Sequence, residues 1–347
     1  MDFTSEQLRI LENLRVAYDT WAQTARQIPD GRPWLAWKTI SGKEYLYQRL
    51  DRSGRGQSLG RKSAETDALY DEYRGRMDKR EEALSRIKQS EVKLHELARL
   101  YRAVHLPMID GMPGAILREA DQRSMLGSAF LVVGTNAFAA YELEAQERFA
   151  TGLDSTEDFD LTWAGDSRIA MALAEGTRIP VLDMLKAVDE TFTENTERPF
   201  QARNAAGYEV EVLAAPSVLV SYPSTERLRP TGLPEQEWLL KGTQVEQIVM
   251  DRTNMPARLV VPDPRWMGLH KLWLSDKPRR NRLKIKKDRA QGEALLRAVA
   301  AKMPHFPLDA TFRGMVPDEL KPYLPQPHHG DPAPRSSRSR ISVATGR

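Results

Sequence analysis

The sequence predicts a mixed α/β (α+β) protein, and three observations lead to that class. A short apolar run, Phe130-Leu-Val-Val133, ends in Gly134-Thr135 and a helix-like segment, and a second strand-like run then carries Asp158 and Asp160. Between Trp34 and Gly60, aromatic and apolar residues alternate with polar ones around Ser41-Gly42 and Arg52-Ser53-Gly54, the signature of short strands joined by turns. Elsewhere apolar residues recur at helical spacing, most extensively over residues 64–104.

In chain order, Thr4 with Gln7 three residues on forms a capping-box pattern, and Leu8, Leu11, Leu14, Tyr18, Trp21 and Ala25 follow as a helical stripe that ends before Pro29. The aromatic unit from Trp34 to Leu59 comes next. Its rings and arginines suit either a packed core or stacking on single-stranded nucleic acid, and the sequence leaves both readings open. From Ala64 to Val104 a charged stretch carries a narrow seam of Met77, Leu84, Ile87, Leu94, Leu97 and Tyr101. Such a seam suits an antiparallel helical hairpin or a coiled-coil dimer arm, with Gly75 as a point of kinking. A short helix from Pro113 to Asp121 leads into the strand at Phe130. The end of the chain, from about Pro325, is rich in Pro and Arg, lacks apolar periodicity and is expected to be disordered.

The chemistry concentrates around the first of these observations. Side chains alternate along a strand, so Asp158 and Asp160 point the same way, and two carboxylates one pleat apart can hold a pair of divalent cations. Ions held in this way clamp triphosphate oxygens during phosphoryl transfer. Gly134 allows backbone to approach a phosphate, Thr135 offers a hydroxyl, and a helix starting near Asn136 aims free N–H groups at the anion. Taken singly, a Gly-Thr is an ordinary turn and an Asp-x-Asp an ordinary solvated strand end. Their order is what points to nucleotide chemistry.

That order resembles the DNA polymerase β-like nucleotidyltransferase superfamily. More narrowly, residues 133–141 with Thr156-Glu-Asp-Phe-Asp160 are similar to bacterial nucleotidyltransferase-fold proteins, distant relatives of the abortive-infection AbiEii and MenT-type toxin nucleotidyltransferases. The resemblance, which spans roughly residues 110–305, implies a third carboxylate on a later strand that runs into an apolar string and a proline. In Gly207-Tyr-Glu-Val-Glu-Val-Leu-Ala-Ala-Pro216 that position is Glu211, a glutamate where an aspartate is more usual, and Glu209 shares its strand face as a substitute. Two further strings, His270-Lys-Leu-Trp-Leu-Ser275 and Lys286-Lys-Asp-Arg-Ala-Gln291, resemble the family's helical motifs and imply that Lys271 contacts the nucleotide phosphates. The resemblance thus implies Asp158, Asp160 and Glu211 as catalytic, metal-holding carboxylates and Gly134, Thr135, Asn136 and Lys271 as nucleotide-binding residues. Mg²⁺ or Mn²⁺ would be the cofactor and a nucleoside triphosphate the substrate, with an RNA end or a protein hydroxyl as acceptor, in a toxin, phage-defence or other role. A protein of this fold that has lost catalysis and serves in nucleic-acid binding or assembly is the alternative.

The resulting division is an N-terminal helical and β-hairpin module over 1–105, a nucleotidyltransferase core over 106–225, an α-rich C-terminal subdomain over 226–324 and a basic tail over 325–347. The absence of cysteine excludes disulfides, thiolate catalysis and cysteine zinc sites. With no apolar run of membrane-spanning length and no signal-peptide pattern, a bacterial-type cytoplasmic protein without a membrane partner is expected. The net charge is only +3, yet residues 277–302 hold Lys277, Arg279, Arg280, Arg282, Lys284, Lys286, Lys287, Arg289, Arg297 and Lys302. That stretch suits RNA or another nucleic acid, or equally a solvated helix face. The helical arm over 64–104 is the expected contact for a second copy or a partner protein.

Overall fold

The computed structural model describes residues 1–49, 55–149, 181–220, 222, 226–278 and 280–326, together with the backbone of 158–163. The tail expected to be disordered lies, from residue 327 onward, outside the described residues, as does Arg279. In chain order the elements are α1 (Ser5–Arg26), β1 (Trp34–Ile40), β2 (Lys43–Arg49), β3 (Gly56–Arg61), α2 (Ala64–Ala103), β4 (Met108–Ile109) and α3 (Gly111–Gln122). There follow β5 (Phe130–Val132), α4 (Phe138–Ala145), β6 (Asp158–Trp163), α5 (Val181–Val188), β7 (Thr193–Glu194), β8 (Gln201–Arg203), β9 (Glu209–Ala214) and β10 (Thr231–Gly232). The last are β11 (Val245–Asp251), β12 (Pro256–Val261), α6 (Pro264–Ser275), α7 (Arg282–Lys302) and α8 (Ala310–Met315). Helices and sheets mix as the α+β class requires.

The chain forms two compact units, and each draws on separated stretches of sequence. One comprises 1–3, 127–247 and the chain from 259; the other comprises 4–126 and 248–258.

In the second of these units, α1 begins with the expected capping box, Thr4 and Gln7 satisfying each other's backbone N–H groups. Its buried face is Ile10, Leu14, Ala17, Tyr18, Trp21 and Ala22, against which the C-terminal part of α2 packs through Leu94, Leu97, Ala98 and Tyr101. The arm is one unbroken helix of 40 residues rather than a hairpin, capped by Ser63 and Thr66 and continuous through Gly75. Leu69 and Leu84 are exposed and Met77 and Ile87 partly buried, so the buried part of the apolar seam is its C-terminal end, Leu94, Leu97 and Tyr101. Strands β1, β2 and β3 form an antiparallel meander whose first turn, Ser41-Gly42, has positive φ at both residues, the hairpin turn whose twist suits the flanking strands. A buried cluster ties α1 to α3: Asp121 accepts from Tyr18 Oη at 2.8 Å and from Arg258 Nε at 3.3 Å, and pairs with Arg26.

In the other unit, a six-stranded sheet has the order β5-β6-β9-β8-β7, with β10 added to β9. Strand β6 runs antiparallel to β5 and parallel to β9. Val210, Val212 and Ala214 of β9 are fully buried, which makes that face of the sheet its core side. Helices α6 and α7 cross at Gly268 and Gly292, so closely that a Cβ added to Gly292 would lie 2.7 Å from Leu272 and 2.9 Å from the Gly268 carbonyl oxygen. Among the described residues no helix is long and apolar enough to cross a membrane.

Candidate nucleotide site

The site is built at one end of the six-stranded sheet. The β5–β6 ladder pairs Phe130 with Trp163, Leu131 with Thr162 and Val132 with Leu161. Asp160 is therefore the next residue of β6 beyond the ladder, at the level where the chain leaves β5 for its turn at Gly134. There Gly134 adopts φ 72° and ψ −150°, a conformation that residues with a Cβ essentially do not enter. A 3₁₀ turn over Thr135–Ala137 then leads into α4. The helical segment expected near Asn136 is present in this form, and Asn136 itself is buried.

On the other side of β6, the parallel register places Asp158 level with Glu209 and Asp160 level with Glu211. Paired residues of neighbouring strands share a face, so all four acidic positions belong to the face opposite the buried Val210 and Val212. The two aspartate side chains lie outside the described residues; those of Glu209 and Glu211 are partly exposed. Both glutamates are held by one amide. Gln201 of β8, only 1% exposed, donates from Nε2 to Glu209 Oε2 at 2.9 Å and to Glu211 Oε1 at 3.2 Å. Its own Oε1 accepts from Asn195 Nδ2 at 2.8 Å, which fixes the direction of the amide. A neutral donor restrains Glu211 here without cancelling its charge. Glu209 has in addition the guanidinium of Arg203 at 3.9 Å. The sequence reading did not single out Gln201 or Asn195; the only signal was two amides a few residues ahead of a Glu-x-Glu strand.

Lys271 lies on α6 and is almost fully buried. Its Nζ donates to Asp288 Oδ1 at 2.9 Å, and the other carboxylate oxygen takes two nitrogens of Arg280, at 2.7 and 2.9 Å. These three groups together carry one surplus positive charge. They stand beside the turn after β5, because Lys271 Nζ is 5.9 Å from the centroid of Phe138 and Gln291 of α7 reaches Thr135 Oγ1 at 3.4 Å. The close crossing of α6 and α7 is what brings Lys271 and Asp288 together. Next to Lys271, His270 is buried among Trp238 and Trp273, with neither ring nitrogen hydrogen-bonded. Desolvation, and then the Lys271 charge, push its pKa down to about 3, so the ring is neutral.

The basic stretch over 277–302 is partly neutralised. Arg280 is committed to Asp288, Arg289 meets Asp276 at 2.6 Å and Lys302 meets Asp2 at 2.8 Å, while Arg282, Lys286 and Arg297 are exposed along α7.

A search of curated proteins gives no match. Among solved structures, an antigenic nucleotidyltransferase-like protein from Paracoccidioides brasiliensis is similar at 17% identity, over 53% of this chain and 74% of that one, with a TM-score of 0.28. A family described as "Nucleotidyltransferase" matches residues 112–316, more than half of the chain and a span that includes the Gly134 turn, β6, β9 and both crossing helices. The chain belongs to that nucleotidyltransferase family.

Proposed function

We propose that the chain moves a nucleoside monophosphate from a nucleoside triphosphate to an acceptor hydroxyl, with Mg²⁺ or Mn²⁺ as cofactor. One observation carries this reading: the register that sets Asp158 and Asp160 level with Glu209 and Glu211, at the sheet end where β5 turns through Gly134. The donor set fits the cofactor, because it consists of carboxylate oxygens alone, the hard ligands that these ions take. Asp158, Asp160 and Glu211 would hold the ions, with Glu209 as the alternative third ligand. Bound there, such ions offset charge on the phosphoryl oxygens and on the attacking and leaving oxygens.

The residues of the chain do the rest. Backbone N–H groups after Gly134, with the Thr135 hydroxyl, bind the outer phosphates, and the surplus charge of the Lys271, Arg280 and Asp288 cluster favours their approach. In this reading Lys271 acts from a buried position that Asp288 holds fixed. Glu211, restrained by Gln201, orients the acceptor hydroxyl for deprotonation. The acceptor oxygen bonds to the α-phosphorus as the bond to the bridging oxygen breaks, and pyrophosphate departs. An RNA end or a protein hydroxyl serves as acceptor in this chemistry, and a toxin or phage-defence setting is consistent with the relatives that the sequence resembles.

The test is incubation of the chain with each α-labelled nucleoside triphosphate, Mg²⁺ or Mn²⁺, and total RNA or cell lysate. Label is expected on one class of macromolecule and is expected to vanish with Asp160→Asn. Label that never transfers, or that transfers equally with Asp160→Asn, rules the reading out.

A further inference from the structure

The meander of the 4–126 unit has two unlike faces. Leu35, Trp37 and Leu46 alternate onto the face that α2 covers: Leu46 is fully buried and the Trp37 ring lies 5.7 Å from Tyr70. On the opposite face the register sets Trp34 against Arg49, Lys38 against Tyr45, and Tyr45 against Arg61. Tyr47 and Lys43 belong to the same face. The three rings are partly exposed and the cations exposed. Two of the rings already have cations over them, Arg32 at 5.2 Å from Trp34 and Lys38 at 5.4 Å from Tyr47. Among the described residues of the three strands no carboxylate stands on this face: their one acidic residue, Glu44, alternates onto the other face and pairs with Lys62 at 2.8 Å.

Rings and cations segregated from every acidic side chain of the sheet match a ligand that is planar, apolar in its faces and negatively charged along its backbone. We propose that this face binds single-stranded polynucleotide, its bases stacking on Trp34, Tyr45 and Tyr47 and its phosphates lying against Lys43, Arg49 and Arg61. Sheets that display rings on one face hold two or three bases of an unpaired strand in this way, and a duplex, whose bases are already stacked, offers the rings nothing. The site is independent of the carboxylate site and of nucleotidyl transfer, and it stands or falls by binding alone.

The experiment is fluorescence anisotropy of the full chain with labelled 12-mers of oligo-U and oligo-dT, a 12-base-pair duplex and a polyglutamate peptide. Both single strands are expected to bind more tightly than the duplex, and the ratio of oligo-U to oligo-dT affinity shows whether RNA or DNA is the better ligand. The pair Tyr45→Ala and Tyr47→Ala is expected to weaken single-strand binding by about tenfold or more per ring. The pair Lys43→Gln and Arg61→Gln, at exposed positions, is expected to lower the slope of log affinity against log salt by about 1.4, from roughly 0.7 per phosphate contact. Should the ring variant unfold, a 5-bromouridine oligonucleotide cross-linked to the unaltered chain is expected on Tyr45 or Tyr47. Equal affinity for duplex and single strand, polyglutamate binding alone, cross-links confined to residues 277–302, or full affinity in both folded variants would each overturn the proposal.

Discussion

Three side chains each give a separate measurement. Asp160→Asn keeps the volume and removes the charge that would ligate metal in the proposed mechanism, so transfer is expected to fall by roughly 10²–10³-fold or more while the melting temperature stays nearly unchanged. A large loss of stability would make Asp160 a structural residue. Gln201→Leu leaves Glu209 and Glu211 without the amide that separates and orients them. Its expected signature is a raised Mg²⁺ requirement that high Mg²⁺ restores, which a purely structural lesion would not show. His270 predicts a pH effect. Its folded pKa, about 3, lies below its ordinary value of 6.5, so between those values the unfolded chain binds the proton and the folded chain does not. Stability is therefore full above pH 6.5 and is lost as pH falls toward 3, by on the order of 2 kcal/mol at pH 5 from this residue. Urea midpoints of the native chain and of His270→Phe, compared at pH 7 and pH 5, check it: the variant should lose less on acidification. Strand alternation and turn chemistry are local, so the shared strand face of Asp158 and Asp160 and the turn at Gly134 could be read from residue order, whereas Glu211 rested on the family resemblance. Gln201 was hidden, since its importance arises only when β8 pairs beside β9.

At the scale of elements, the crossing of α6 and α7 separates two glycines that a helix-propensity argument would treat alike. Alanine at either position gains up to about 1 kcal/mol of intrinsic helix preference. At Gly292 the new methyl would meet the Gly268 carbonyl, a backbone atom, whereas at Gly268 its nearest neighbours are side-chain atoms of Leu296, which can turn aside. Gly292→Ala is thus expected to destabilise by about 1–3 kcal/mol and Gly268→Ala by clearly less, as read by urea denaturation. Asp288→Asn on the same helix pair removes the carboxylate that Lys271, a buried cation, shares with the partly exposed Arg280, and should cost about 3–5 kcal/mol. The α1 capping box, the three strands of the meander and a helical segment after the Gly134 turn were legible from residue order, because caps, turns and period-2 alternation are written within a few residues; that the segment opens as a 3₁₀ turn was not. The phase of the α1 stripe was less so, with Ile10, Ala17 and Ala22 buried in place of Leu8, Leu11 and Ala25. The continuity of α2 through Gly75 was not legible either. Nothing approaches the Gly75 Cα where a side chain would stand, and a glycine on a solvent-facing turn costs a helix only its propensity.

At the scale of the whole molecule, the two units are not successive lengths of chain. Residues 248–258 carry Asp251, which is fully buried, accepts Arg118 at 2.7 Å and sits on a strand paired with β4, all within the unit that residues 4–126 begin. A chain started at Gly127 would retain that buried carboxylate and lose its guanidinium. Its calorimetric transition is expected to be broad or absent, and a melt equal to that of the full chain would show the segment to be dispensable. No local pattern could reveal this interleaving, because composition changes along the sequence say nothing about which distant segment returns. The chain passes between units after residues 3, 126, 247 and 258, and this bears on how the protein is made. As it leaves the ribosome from its N-terminus, neither unit possesses all its parts until residue 258 has emerged, although Leu14, Tyr18 and Trp21 are in the open from the start. Until then the nascent chain carries apolar surface that only its later residues can finish covering, the condition under which chaperones are recruited.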